Sequence, residues 1–267
     1  MAEHATTAAR TVRVRAVQLP AGELDVEAAV EAVVAAIGAA TGLADLVVLP
    51  ELATTRYDLR RHLHDVAPQP GDETFARITE AARAAGVVVV VGFAERVGDR
   101  TYNSAAVIDS DGSPAGVVRK AHLFAGERKV FAPGDAIAPV PTSIGVLGVL
   151  ICFDLEIPEV AGTLALAGAE LLVACSANME GYERYQEVYT RSRAMENGLP
   201  LVLSNWVGPG PRFTFLGQST VVSAQGDVLV DAGLAVGTVD AEVALAHITA
   251  IDPELDYLAH RRPELYG

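Results

Sequence analysis

Three short segments of this sequence deliver a reactive side chain where an apolar run stops. Leu46-Val-Val-Leu-Pro-Glu51 ends on a carboxylate, Gly116-Val-Val-Arg-Lys120 on an ammonium and Val146-Leu-Gly-Val-Leu-Ile-Cys152 on a thiol. Strand ends are rigid positions from which several side chains can converge on one pocket. Taken singly, each residue has an ordinary reading. Glu51 reads as a turn or helix-start acid, Lys120 as a solvated cation and Cys152 as a small buried hydrophobe. Spacing and composition leave the constellation a suggestion, so the elements around it matter.

The patterning predicts a mixed α/β chain. Residues 11–19 alternate Val and Arg before an apolar stop and read as a strand. Residues 25–40 are Ala-rich with Val30, Val33, Val34 and Ile37 at helical spacing, and Asp25 is a plain N-cap without a capping box. Strands follow at 45–49 and 86–93, separated by a helix at 74–85. The unbroken Val run in 86–93 points to burial on both faces. Asp109-Ser-Asp-Gly is a hairpin signal between strands at 105–108 and 116–119. Further strands are expected at 144–151, 171–174 and 201–204, with helices at 158–167 and 183–197. A second hairpin is expected between 215–223 and 227–230. Helices alternate with strands, but the hairpins interrupt the alternation. That predicts mixed sheets with helices outside. There is no low-complexity linker and no strong internal repeat.

Composition narrows the classes. The chain has 267 residues, near the upper limit for one hydrophobic core, so a single domain over 1–267 is expected. Its net charge of −14 repels a phosphate backbone and disfavours nucleic acid as a partner. The 51% hydrophobic content predicts a well-filled core. Two cysteines cannot build a disulfide scaffold, which suits a reducing compartment. The longest apolar run, near 144–152, is too short to span a bilayer. Residues 1–10 carry no apolar stretch of a secretory signal and are expected to be flexible. The expected setting is the cytoplasm, with no membrane partner.

At this point the sequence resembles a family. Leu49-Pro-Glu51-Leu, Arg119-Lys120-Ala-His-Leu-Phe124 and Glu127-Arg-Lys-Val-Phe-Ala-Pro-Gly-Asp135 come first. Cys152-Phe-Asp-Leu-Glu-Ile-Pro-Glu159, Arg193-Ala-Met-Glu-Asn197, Phe215-Leu-Gly-Gln-Ser219 and Arg261-Arg-Pro-Glu-Leu-Tyr266 follow in order. The set is similar to that of the nitrilase superfamily of carbon–nitrogen hydrolases, from about residue 11 to residue 266. The resemblance implies a four-layer αββα sandwich, a homodimer joining two sandwiches, and a Glu–Lys–Cys triad at Glu51, Lys120 and Cys152. Helix 183–197 and the tail 250–267 are candidate interface elements.

The chemistry supports the implied triad independently. A free thiol titrates near ~8.5, so Cys152 needs a base or a cation beside it at neutral pH. Glu51 can take the proton and Lys120 favours the thiolate, while Lys120 and the backbone N–H of Phe153 are the expected oxyanion donors. Glu127 is the expected second glutamate. Its ordinary reading is an exposed loop acid beside Arg128 and Lys129. Cys175 reads as a packed strand residue and His122 as a structural one. Gly208-Pro-Gly-Pro is a loop, not a phosphate cradle. No metal motif is present and no cofactor is expected.

Phe153 and Asp154 stand where true nitrilases usually carry Trp and Glu, and the resemblance is to the amidase branches, 5-aminopentanamidases and R-stereoselective amidases. Glu156 occupies a position where carboxylate-binding branches often have Arg. If it faces the pocket it suits a neutral or cationic substrate; otherwise it is a helix-start acid. With Phe153 and Glu156, Tyr57 and Asn178 are the expected substrate-binding residues, although Asn178 has a turn-forming alternative. The expected partner is a small aliphatic or ω-amino carboxamide, with no ATP requirement. The alternatives are an N-carbamoyl hydrolase or nitrilase on the same triad, an acyltransferase, or a non-catalytic binding module.

Overall fold

The computed structural model describes residues 10–23, 25–57, 63–69, 71–245 and 253–266. The flexibility expected of residues 1–10 falls outside these, Arg10 excepted.

The chain builds two sheets by the same route. In the first half, β1 (Thr11–Gln18), α1 (Val26–Gly38), β2 (Leu46–Val48), the short α2 (Leu63–Val66), α3 (Glu73–Ala85) and β3 (Val88–Val97) alternate. The three strands run parallel. β4 (Arg100–Ile108) and β5 (Pro114–Arg119) then extend the sheet antiparallel. In the second half, β6 (Val140–Thr142) pairs antiparallel with β7 (Gly145–Ile151). α4 (Pro158–Leu166), β8 (Leu171–Cys175), α5 (Glu183–Asn197) and β9 (Leu201–Ser204) complete a second parallel trio, β7-β8-β9. A small ribbon of β10 (Val207–Pro209) and β11 (Thr214–Leu216) follows, then β12 (Thr220–Val222) and β13 (Val228–Asp231) on the edge of the second sheet. Finally β14 (Gly237–Ala244) returns to the first sheet. The orders are β14-β1-β2-β3-β4-β5 and β13-β12-β9-β8-β7-β6.

Strand periodicity sorts the side chains into layers. Leu46, Val48, Val88 and Val90 face Leu147, Val149, Leu171 and Val173 in the core between the sheets. Their alternates Val47, Val89 and Val91 pack outward on Val33 and Ile37 of α1 and on Phe75 and Ile78 of α3. Leu150, Leu172 and Ala174 do the same against Val160 and Leu164 of α4 and Ala194 of α5. The result is an αββα sandwich. Cys175 lies in the inter-sheet core, as a packed strand residue. Asp25 caps α1 by accepting the Ala28 N–H at 3.0 Å.

Four features differ from the sequence reading. The strand expected over 215–223 is two short strands, because Gly217 (φ +71°) and Gln218 (φ +56°) break the extended backbone. β4 begins at Arg100 rather than at 105, and its hairpin with β3 turns at Gly98 and Asp99. β6 and β10 are too short to leave a pattern. β14, absent from the sequence reading, pairs with β1 from Thr11↔Ala244 to Gln18↔Gly237, and turns Val239, Ala241 and Val243 to the core between the sheets.

Candidate active site

Glu51 sits three residues past β2. Its backbone N–H donates to Ser176 O at 3.2 Å, and its carbonyl accepts the Trp206 indole N–H at 2.7 Å. β3 runs close behind this turn: a Cβ on Gly92 would stand 2.4 Å from Pro50 O and 2.7 Å from Glu51 Cα, so only glycine fits. Lys120 directly follows β5. Its backbone is held on both sides, N–H to Asn103 O and carbonyl from the Gly134 N–H, each at 2.8 Å. Cys152 directly follows β7 with φ +46°, a left-handed conformation rare for a side chain larger than glycine. It opens a 3-10 turn, Cys152–Glu156, whose Leu155 and Glu156 carbonyls accept Arg193 Nε and Nη2 at 2.8 and 2.9 Å. Thus α5 clamps the turn that carries the thiol.

The three side chains meet, and Glu127 joins them. Lys120 Nζ donates to Glu51 Oε1 at 2.7 Å and to Glu127 Oε1 at 2.9 Å, with all three side chains fully buried. Glu127 is therefore not the exposed loop acid of its ordinary reading. The 3-10 turn Ala125–Lys129 folds it inward, where its Oε2 accepts the Phe124 N–H at 2.8 Å and its Oε1 the Tyr57 hydroxyl at 2.9 Å. Asn103 Nδ2 donates to Glu51 Oε1 at 2.6 Å and reaches Glu127 Oε1 at 3.4 Å. The two carboxylates differ in one respect. Both Glu127 oxygens are occupied by donors, whereas Glu51 Oε2 is buried with no hydrogen-bond partner among the described residues.

These surroundings set the charges. Burial pushes the Glu51 carboxyl up to about 7; Lys120 and the Asn103 hydrogen bond oppose that shift, and Glu127 adds to it. Burial works against the Lys120 ammonium, but Glu51 and Glu127 outweigh it and hold the proton above the ordinary lysine range. Burial and then the Glu51 charge raise the Cys152 thiol far above its ordinary value, and Lys120 only partly offsets them. Lys120 does favour the thiolate, as the sequence suggests, but its charge is already shared by two carboxylates. Burial therefore favours the thiol over the thiolate at this sulfur.

The other expected residues fall around this centre. Tyr57 is buried, with its hydroxyl on Glu127 and its ring 5.8 Å from Phe215 and 6.3 Å from Phe213. Phe153 is half-buried, its ring 5.3 Å from Phe124, which in turn lies 5.9 Å from Tyr182. Glu156 is half-buried; burial raises its carboxyl, with Lys120 and Arg193 pulling the other way. The Asn178 side chain accepts the Met179 N–H at 3.1 Å and donates to Tyr182 O at 3.4 Å, which is its turn-forming alternative. His122 Nδ1 lies 2.9 Å from Asp154 Oδ1, which also accepts the His122 backbone N–H at 2.9 Å, joining the lysine segment to the cysteine turn. Sequence reasoning missed Asn103, Trp206 and Gly92. Asn103 just precedes the strand expected at 105–108, and its polarity there is the only signal it leaves.

Comparison with known proteins follows the geometry. The sequence pattern of the carbon–nitrogen hydrolase family matches residues 13–252. An (R)-stereoselective amidase from a Pseudomonas species is 34% identical over 257 residues, which cover 96% of this chain and 93% of that protein. The crystal structure of a carbon–nitrogen hydrolase from Helicobacter pylori G27 aligns with a TM-score of 0.88 at 30% identity, over 96% of this chain and 97% of that one. A Cys-to-Ala mutant of an amidase from Nesterenkonia sp. AN1, in complex with butyramide, aligns with a TM-score of 0.86 at 26% identity, over 97% and 96% of the two chains.

Proposed function

The chain belongs to the carbon–nitrogen hydrolase family and is a hydrolase of carbon–nitrogen bonds other than peptide bonds; within that class we propose that it is an amidase, converting a small aliphatic or ω-amino carboxamide to the acid and ammonia through a thioester on Cys152. The observation that carries this reading is the pair of unlike carboxylates on one buried ammonium. Glu127 is saturated and holds Lys120, while Glu51 keeps one buried oxygen unpaired and a carboxyl raised to about 7, suited to taking and returning a proton at neutral pH.

The reaction runs as follows. The Cys152 proton passes to Glu51 as sulfur bonds to the amide carbon. Lys120 has three N–H donors, two of them on Glu51 and Glu127, so one remains for the oxyanion, with the Phe153 N–H as a second donor. Protonated Glu51 gives its proton to the amide nitrogen as the C–N bond breaks and ammonia leaves. Water then loses a proton to Glu51 and attacks the thioester. As the C–S bond breaks, Glu51 returns the proton to sulfur and the acid departs. Glu127 keeps Lys120 in place throughout. Phe153, Glu156, Tyr57 and Asn178 surround the substrate, the last two through the residues they order. The complex of the Nesterenkonia amidase with butyramide supports a small aliphatic amide as the substrate class.

The working unit in this reading is one domain, homodimeric, in the cytoplasm. A groove of about 460 Å³ between α5 and Tyr257, with Val188 and Met195 exposed along it, supports the dimer. Two free thiols suit a reducing compartment. Among the described residues no helix is long and apolar enough to cross a membrane.

Intact-mass measurement during turnover of butyramide tests the mechanism. An acyl adduct is expected on the wild-type chain and none on Cys152→Ala, which keeps its fold. An adduct on Cys175 would overturn the assignment.

A further inference from the structure

We propose that Asn103 is a positioning residue for this reaction: with Lys120 it occupies one oxygen of Glu51, Oε1, and so commits proton transfer to the other, Oε2. The inference rests on the reading of Glu51 as the base and goes beyond it. Asn103 lies on β4 and is fully buried. Its Nδ2 is 2.6 Å from Glu51 Oε1, and Lys120 Nζ reaches the same oxygen at 2.7 Å. Two donors fill the lone pairs of Oε1. Oε2 is buried and bare among the described residues, so it is the oxygen that gains most from a proton. The Asn103 carbonyl also accepts the Lys120 backbone N–H at 2.8 Å. One strand residue thereby fixes the orientation of the base and the place from which the ammonium side chain starts.

A carboxylate free to turn would present either oxygen and give up its lysine contact in some orientations. The Asn103 donor prevents this without touching substrate. The proton then follows one route. It leaves Cys152 Sγ for Oε2, passes from Oε2 to the departing nitrogen, arrives again at Oε2 from the attacking water, and returns to Sγ as the C–S bond breaks.

The groups facing Glu51 fix the sign of the pH effect. Lys120 after β5 and Asn103 on β4 stabilise the carboxylate. Glu127 from the 3-10 turn opposes them, and Tyr57, Cys152 and Cys175 stand in range as neutral groups. The base works ionised, so kcat/KM rises as pH passes Glu51's value of about 7. Loss of the Asn103 donor leaves the carboxylate less stable, which raises that value and moves the acid limb to higher pH.

The experiment measures ammonia release from butyramide between pH 5 and 9 for wild type, Asn103→Leu, Asn103→Asp and Glu51→Gln, with thermal melts of each. The acid limb is expected to move up by about one pH unit in Asn103→Leu, a tenfold change in the ionisation constant. It should move further in Asn103→Asp, whose carboxylate repels Glu51. At pH 7 kcat/KM should fall about ten- to a hundredfold in both. Asn103→Asp keeps the shape of the side chain, so it carries the test should the Leu variant not fold. A limb that stays in place in both variants while the rate falls would mean that Asn103 only fills space, and the inference fails alone. If Glu51→Gln keeps both the limb and the rate, Glu51 is not the base, and the inference falls together with the mechanism.

Discussion

Two glutamates share one lysine in this site, and their hydrogen bonding differs. Glu127 meets Lys120, Tyr57, Asn103 and the Phe124 N–H, whereas Glu51 meets Lys120 and Asn103 through a single oxygen. Residue type alone would make them equivalent. The same logic separates Glu156 from both. It is half-buried, and its carboxyl feels both Lys120 and Arg193. A substrate carboxylate brought near it would set two like charges in poorly hydrated surroundings. Solvent screening at a half-exposed group limits the effect to about 1.4 kcal/mol, about tenfold in kcat/KM. Matched amides with amino, methyl and carboxylate termini should therefore be hydrolysed fastest with amino or methyl ends. Glu156→Arg should reverse the order. A wild-type preference for the carboxylate, or an unchanged order in the variant, would leave Glu156 as a helix-start acid only.

At the scale of elements, the site is assembled by close backbone approaches as much as by side chains. β2, β5 and β7 each end beside it, and their ends are held by neighbours remote in sequence: Trp206 on the Glu51 carbonyl, Gly134 on Lys120, Arg193 on the cysteine turn. Gly92 is the tightest of these approaches. Gly92→Ala would push its methyl group against Pro50 O and the Glu51 backbone, at a cost of about 1–3 kcal/mol. For a chain of this length that is a fall in Tm of roughly 2–10 °C. The larger effect should be on kcat, about a hundredfold or more, because an ångström of displacement at Glu51 misplaces the base. Thermal melts and kcat at pH 8 check this together, and a Gly92→Ala enzyme with wild-type kcat would show that the turn adjusts. The elements themselves were largely readable. Helix 183–197 and strand 201–204 coincide with α5 and β9. The break at Gly217 and Gln218 left a signal, a glycine followed by polar residues between two apolar pairs, but the sequence reading ran the strand through it. β14 was missed although Val239, Ala241 and Val243 alternate with Asp240 and Glu242, a strand pattern that the sequence reading passed over.

Over the whole molecule, the two sheets repeat one plan, three parallel strands linked by helices and flanked by antiparallel ones. The sequence carries no strong repeat to match it, since layered packing asks only for apolar residues at the right period. α5 departs from the ordinary pattern. Its inward face is polar, with Gln186, Thr190, Arg193 and Asn197 buried, while Tyr185, Val188 and Met195 are between 45 and 48% exposed. Apart from the Thr190 hydroxyl, these inner side chains are hydrogen-bonded within the fold, and apolar side chains on the outer face of such a helix suit an association surface. Sedimentation velocity at micromolar concentration should find a dimer for wild type and a monomer for Val188→Glu with Met195→Glu. A monomeric wild type would refute this surface as the interface. Because α5 also clamps the Cys152 turn through Arg193, the same variant should lose activity in step with its dissociation.

The sequence by itself determined the family of the protein, through its ordered motifs, and pointed to the three residues proposed to react. Strand ends have a readable signature, an apolar run that stops, and the reactive residues stand directly at those stops or within three residues of them. The residues themselves indicated mixed sheets with helices outside, and the four-layer arrangement came from the family resemblance. Only the tertiary structure decided which carboxylate has donors on both oxygens and which keeps one oxygen bare among the described residues, and that burial favours the thiol at Cys152. Only it brought Asn103, Trp206 and Gly92 to the Glu51 turn. The physical reason is common to all of these. Each depends on burial and on donors from strands far apart in the chain, and desolvation and hydrogen-bond occupancy are properties of a place in the fold, not of a residue in a string.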